Sequence, residues 1–155
     1  MWVSELQLAR FRNYQTLQAG FTAGSTLIYG PNGEGKTNLV EAIGYLSSLT
    51  SHRLGNQKSL IKDGSTSAQL SARVKSGERE ISVGVEINSG QPNKYFLNGS
   101  PRQRATEILG NLAAVVFAPE DLDIVRRDPG DRRSFLDQTS ALLKPRMGQL
   151  RLDYV

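Results

Sequence analysis

Residues 30–37 read Gly-Pro-Asn-Gly-Glu-Gly-Lys-Thr, an unbroken instance of the pattern G-x-x-x-x-G-K-[ST]. No other stretch constrains the fold as tightly, because each fixed position does a separate physical job. The glycines let the backbone curl into a nest of N–H donors that a Cβ would obstruct. Lys36 brings a mobile positive charge to β- and γ-phosphates, and Thr37 offers a hydroxyl to Mg²⁺, which demands oxygen ligands. The flanks agree with this reading. Thr26-Leu27-Ile28-Tyr29 predicts a short buried strand entering the loop, and Leu39, Ile43 and Leu46 recur at helical spacing over Lys36 to Leu49. Strand, glycine loop and helix N-terminus together make an anion site. Gly30, Pro31, Asn32, Gly33, Glu34, Gly35, Lys36, Thr37 and Asn38 are therefore the expected ATP-binding residues, with Mg²⁺ at Thr37. The competing explanation is a Gly/Pro surface turn that precedes a lysine by coincidence.

The remaining composition sets bounds. A chain of 155 residues is the size of one domain and can bury a core. Nineteen Lys and Arg against fifteen Asp and Glu leave a net charge of +4, which permits nucleic-acid contact without demanding it. Cysteine is absent, so the chain has no disulfide framework and no thiolate metal site. The apolar run from Leu112 to Ala118 is far short of a membrane span, and Met1 to Glu5 lacks the basic and apolar regions of a signal peptide. A soluble, cytoplasmic protein is the expectation.

Period-two alternation predicts strands around Leu6 and Leu8, over Leu17 to Phe21, over Ala68 to Val74 and over Ile81 to Ile87. The last two are joined by Lys75 to Arg79 as an antiparallel hairpin. Tyr95 to Leu97 predicts a further strand ending at the turn Asn98-Gly99. Arg102 to Leu109 predicts a short helix closed by Gly110, and Leu112 to Ala118 a buried strand stopped by Pro119. Helix starts are expected at Pro119-Glu120-Asp121 and at Asp128-Pro129-Gly130-Asp131. Met147, Leu150 and Tyr154 open an amphipathic helix that is uncapped at Val155. Two strands before the loop are unlike a simple nucleotide kinase or small GTPase, where the loop follows the first strand.

A phosphate loop alone hydrolyses nothing; phosphoryl transfer also needs an acid at a second strand tip to hold Mg²⁺. Glu120 and Asp121 follow Ala118 only after Pro119, a poor match to that position. The base-reading pattern N-K-x-D fails, since Asn93-Lys94 continues with Tyr95-Phe96, and no Leu-Ser-Gly-Gly-type signature is found. The expectation is a nucleotide-binding half that does not turn over ATP by itself.

Five blocks resemble the RecF family of bacterial recombination mediators: Leu6 to Tyr14, Gly30 to Ile43, Ser51-His52-Arg53, Phe117 to Leu122, and Arg132 to Asp137. They occur in family order across nearly the whole chain. The first two are shared with SMC-like ATPases; Pro119-Glu120-Asp121-Leu122 and Arg132-Arg133-Ser134-Phe135-Leu136-Asp137 carry the RecF pattern. The resemblance implies an α/β fold, the first half of an ABC/SMC-type P-loop ATPase head. Such a half has a mixed β-sheet with the P-loop helix, an antiparallel hairpin region and the start of a helical arm. Residues 1–127 would form the ATPase lobe and 128–155 the beginning of the arm, with the magnesium acid and signature motif beyond it. It further implies ATP-dependent homodimerisation, binding to gapped or duplex DNA without sequence preference, and recombinase loading together with RecR and RecO. Arg10, Arg12, Asn13, Tyr14 and Glu120 join the nucleotide contacts by the same resemblance, the competing reading being a strand turn in which Tyr14 packs for structure. Arg53, Lys58, Lys62, Arg132 and Arg133 are candidate contacts to DNA phosphates. A P-loop nucleotide or small-molecule kinase is the alternative function, and a vestigial, non-enzymatic interaction domain a third.

Overall fold

Strict alternation along the chain builds the antiparallel sheet that carries the core. The computed structural model describes residues 1–51, 57–117, 130, 133, 136, 139 and 140, and the chain divides into two compact units, Met1–Ala114 and Val115–Val155. The first unit contains β1 (Trp2–Phe11), β2 (Tyr14–Gly20), helix α1 (Lys36–Ser48), β3 (Ser67–Ser76), β4 (Arg79–Asn88), β5 (Lys94–Leu97) and β6 (Ser100–Arg102). Strand order is β2-β1-β3-β4-β5-β6, and every neighbouring pair is antiparallel.

Register places like with like. Leu6 pairs with Ala72 and Leu8 with Leu70, while Leu70 and Ala72 pair across the other edge with Val85 and Val83. All six are buried on one face, since a period of two sends alternate side chains to the same side. Helix α1 lies against β3 and β4 and buries Leu39, Ala42, Tyr45 and Leu46, and Leu60, Ile61, Ile108 and Leu112 complete the cluster. Burial pushes the Tyr45 hydroxyl far above its ordinary pKa, so that phenol stays neutral.

Three expected elements come out differently. The segment 25–30 is not a strand: Leu27 is 83% and Tyr29 86% exposed. Residues 113–117 are irregular, with Leu112 buried in the first unit and Phe117 78% exposed in the second. Continuous apolar runs make strands only where partners pair both edges and cover both faces, and among the described residues neither run has one. The resemblance implies a mixed sheet, whereas the sheet of the described residues is wholly antiparallel. The expected helix from Arg102 gives way to β6 and a single 3₁₀ turn at Ala105–Glu107. Asn98 and Gly99, at φ 52° and 74°, turn the chain straight back to pair with β5, and Pro101 is tolerated on that outermost strand.

In the second unit Gly130, Arg133, Leu136, Thr139 and Ser140 are helical, consistent with the helix expected after Asp128. The boundary between 127 and 128, the helix start at Pro119 and the amphipathic helix at Met147 lie outside the described residues. No helix among the described residues is long and apolar enough to cross a membrane.

Candidate nucleotide-binding site

The glycine loop leads directly into α1. Gly35 is the N-cap at φ 96°, a left-handed conformation that strains any residue with a Cβ. A Cβ there would also meet Asn13 Oδ1 at 2.6 Å. The helix has no side-chain cap and no acid in its first turn, so its leading N–H groups keep their dipole for an anion. Lys36 curls back over the loop and donates to the carbonyl of Gly30 at 2.8 Å and to that of Pro31. An ammonium has three donors, so one remains for a phosphate oxygen. Thr37 is exposed, and its hydroxyl has no partner among the described residues. These features fit a magnesium-bound nucleoside phosphate: uncapped amides and a lysine for the phosphates, a hydroxyl for the metal.

Behind the loop stands the β1–β2 corner. Arg10 and Arg12 both have positive φ, 53° and 52°, which turns the strand tightly enough for Phe11 to pair with Tyr14. Asn13 Nδ2 donates to the Glu34 carbonyl at 3.2 Å, and its Oδ1 accepts from Asn38 Nδ2 at 2.9 Å. The Tyr14 hydroxyl donates to the Gly35 carbonyl at 3.0 Å. Burial, with help from the Glu34 carboxylate, raises the pKa of that phenol and keeps its proton in place.

The arginines of the corner are engaged elsewhere than expected. Arg12 forms a bidentate pair with Glu41, Nε to Oε2 at 3.0 Å and Nη2 to Oε1 at 2.6 Å, and its Nη1 donates to the Ser59 carbonyl at 2.9 Å. Glu41 is fully buried and also accepts from Ser51 Oγ at 2.6 Å. Arg10 donates through Nε to the Ser67 carbonyl at 3.2 Å. Of the corner residues expected at the nucleotide, Asn13 and Tyr14 touch the loop, whereas Arg12 fastens the corner to α1. Sequence reasoning gave no role at the site to Glu41 or Ser51. The available signal was an acid at Glu41 between Leu39 and Ala42, on the face that α1 buries.

The candidate DNA residues separate. Lys58 and Arg133 are exposed. Lys62 is turned inward, its Nζ donating to the Asn13 carbonyl at 2.8 Å, so it braces the corner. Arg53, Glu120, Arg132 and His52 lie outside the described residues. A concavity of about 650 Å³ on the outer face of the sheet is lined by Gln7, Gln18, Gln69, Ser71 and Gly84. Its one acid, Glu86, is paired with Lys94 at 3.0 Å, so it presents no excess positive charge to phosphate. Among the described residues no cluster of three or more His, Asp and Glu could hold a metal on its own.

Known proteins resemble this chain throughout. The family described as RecF/RecN/SMC N terminal domain matches residues 2–123. A DNA replication and repair protein RecF from Rhodococcus erythropolis is 45% identical over 154 residues, 99% of this chain and 38% of that protein. A structure of the recombination mediator protein RecF with ATP, from the RecFOR pathway, superimposes with a TM-score of 0.86 at 30% identity, covering 93% of this chain and 40% of that one. A structure from work on ATP-driven dimerisation and DNA-stimulated activation of SMC ATPases has a TM-score of 0.68 at 23% identity, covering 90% of this chain and 99% of that one, and shows the fold alone. The chain thus spans about two fifths of the length of its RecF relatives. Its fold is that of the first half of an SMC-type ATPase head, and the chain belongs to the RecF/RecN/SMC N-terminal domain family, with the RecF pattern within it.

Proposed function

We propose that this chain is the nucleotide-binding N-terminal part of a RecF-type DNA replication and repair protein and takes Mg-ATP or Mg-ADP at residues 30–38. The observation that carries the reading is the N-terminus of α1, where an uncapped first turn, a left-handed Gly35 and the Lys36 ammonium converge on one loop. The backbone amides and Lys36 bind the phosphates, and the Thr37 hydroxyl contributes a ligand to Mg²⁺. The metal, when bound, offsets phosphate charge. Contact with DNA, ATP-dependent pairing of two copies of the parent protein, cooperation with RecR and RecO, and a cytoplasmic site of action belong to the same reading. They are supported by the RecF relatives and by a solved RecF that carries ATP. Among the candidate DNA contacts, the exposed Lys58 and Arg133 fit that role better than the inward Lys62.

Calorimetric titration tests the site. Lys36→Ala removes a charge-assisted contact worth about 1.5–3 kcal/mol, so Mg-ATP should bind roughly ten- to a hundredfold more weakly. If the variant binds as well as the parent chain, the loop is not the site. The chain alone is expected to hydrolyse ATP no faster than background. A Mg²⁺-dependent rate abolished by Lys36→Ala would favour the kinase alternative instead.

A further inference from the structure

The two carbonyls at the end of the phosphate loop are both held from behind. Asn13 Nδ2 takes the Glu34 carbonyl at 3.2 Å, and the Tyr14 hydroxyl takes the Gly35 carbonyl at 3.0 Å. A trans peptide points its C=O and the following N–H in opposite directions, and no described peptide is cis. Fixing the Glu34 carbonyl toward the corner therefore turns the Gly35 N–H away from it, and fixing the Gly35 carbonyl does the same for the Lys36 N–H. Those two amides stand where the loop meets α1, at the positive end of the helix. We infer that Asn13 and Tyr14 are positioning residues for the anion nest, aiming the Gly35 and Lys36 amides at the phosphates without touching the nucleotide. The inference rests on the function proposed above.

The corner is itself immobilised, as a brace must be. Asn13 is held through its Oδ1 by Asn38 at 2.9 Å and through its carbonyl by Lys62 Nζ at 2.8 Å. Its neighbour Arg12 is locked into the buried Glu41 carboxylate, and the Arg12 N–H donates to the Leu60 carbonyl at 2.9 Å. The Cβ that Gly35 lacks would collide with both side-chain atoms of Asn13, at 2.6 and 2.8 Å, which shows how closely the brace fits. The two holds differ in weight. The Gly35 carbonyl also accepts the Leu39 N–H at 3.1 Å, the first bond of the helix. The Glu34 carbonyl has Asn13 as its partner. Asn13 is therefore the more important of the pair.

The experiment separates aiming from direct contact by using a ligand that has no base. Mg-ATP and inorganic tripolyphosphate with Mg²⁺ are each titrated into the 155-residue chain, Asn13→Ala, Tyr14→Phe and the control Lys36→Ala. Asn13→Ala should weaken both ligands by about threefold to tenfold and Tyr14→Phe by roughly twofold, the size expected for losing one hydrogen bond. The amide resonances of Gly35 and Lys36 should shift in the ligand-free variants. Weakening of ATP alone, with tripolyphosphate unaffected, would mean contact with the nucleoside and overturn the inference. So would unchanged affinity for both ligands in Asn13→Ala and Tyr14→Phe while Lys36→Ala still weakens binding. If Lys36→Ala binds like the parent, the proposed function fails, and the inference with it. Should Asn13→Ala lower the melting temperature, Tyr14→Phe carries the test through the same titrations, since it removes a single oxygen atom.

Discussion

Strand β3 alternates apolar with polar residues and the segment Thr26–Tyr29 is a short apolar run, and their environments are opposite. Ala68, Leu70, Ala72 and Val74 of β3 are buried, whereas Leu27 and Tyr29 stand 83% and 86% exposed. The difference is in what each pattern asks of its surroundings. Alternation needs one covered face and a pairing edge, and β3 receives hydrogen bonds from β1 and β4 and cover from α1. A continuous apolar run needs cover on both faces. That demand can be met only by elements far away in sequence, and none meets it among the described residues. Apolar periodicity therefore reports where a segment's partners are needed, and only structure reports whether they are there.

The sharpest way to break this comparison is to ask whether the ordered side depends on pattern alone. Glu41 is a fully buried carboxylate held by Arg12 on the largely apolar buried face of α1. Arg12→Ala leaves that charge buried with its bidentate partner gone, and should cost about 3–5 kcal/mol. Urea unfolding followed by circular dichroism measures it. A loss below about 1 kcal/mol would mean that alternation and packing hold the corner without the ion pair.

Truncation on the two sides gives the next contrast. Leu70→Ala removes a buried side chain between Leu8 and Val85 and should destabilise by about 2–5 kcal/mol in the same assay. Leu27→Ala should stay within about 0.5 kcal/mol, as exposed substitutions do. If Leu27→Ala costs as much as Leu70→Ala, the segment is packed in solution, and the contrast between the two regions collapses.

What could be read from the sequence follows the same division. The phosphate loop, α1 and the β3–β4 hairpin were legible because their signals are local: fixed glycines, helical spacing and period two. The strand expected at Thr26–Tyr29 finds no pairing or covering partner among the described residues, and the Asn98-Gly99 turn draws Ser100 to Arg102 into β6 in place of the helix expected from Arg102. At the site, Lys36 and the glycines were legible from the motif. The Arg12–Glu41 pair was not, because it joins residues 29 apart, and the acid between Leu39 and Ala42 signals burial without naming its partner. Asn13 and Tyr14 were singled out with the nucleotide site, and the structure sets both against the phosphate loop.

The smallest expected effect concerns the solvent-facing side of the same sheet. Glu5 accepts hydrogen bonds from Gln7 and Gln18, both at 2.7 Å, and lies 3.1 Å from Arg73. Those two amides, with Arg73 adding charge attraction, hold its pKa below the ordinary value of 4.5. Lys94, then Gln69 and Asn88, depress Glu86 in the same way. A carboxylate whose folded pKa is lowered stabilises the fold above its unfolded pKa, and that contribution is lost as pH falls through the folded value. Stability should therefore be level from neutral pH down to about 5 and decline below 4.5 as these carboxylates take up protons. Both groups are well solvated, so the decline attributable to them should be shallow and weaken further in salt. Glu5→Gln keeps an acceptor for the two glutamines but cannot titrate, so its denaturation midpoint should vary less between pH 5 and pH 3 than that of the parent. An identical pH profile in the variant would mean that Glu5 contributes nothing titratable to the fold, and would leave Glu86 as the outer-face carboxylate to account for any decline.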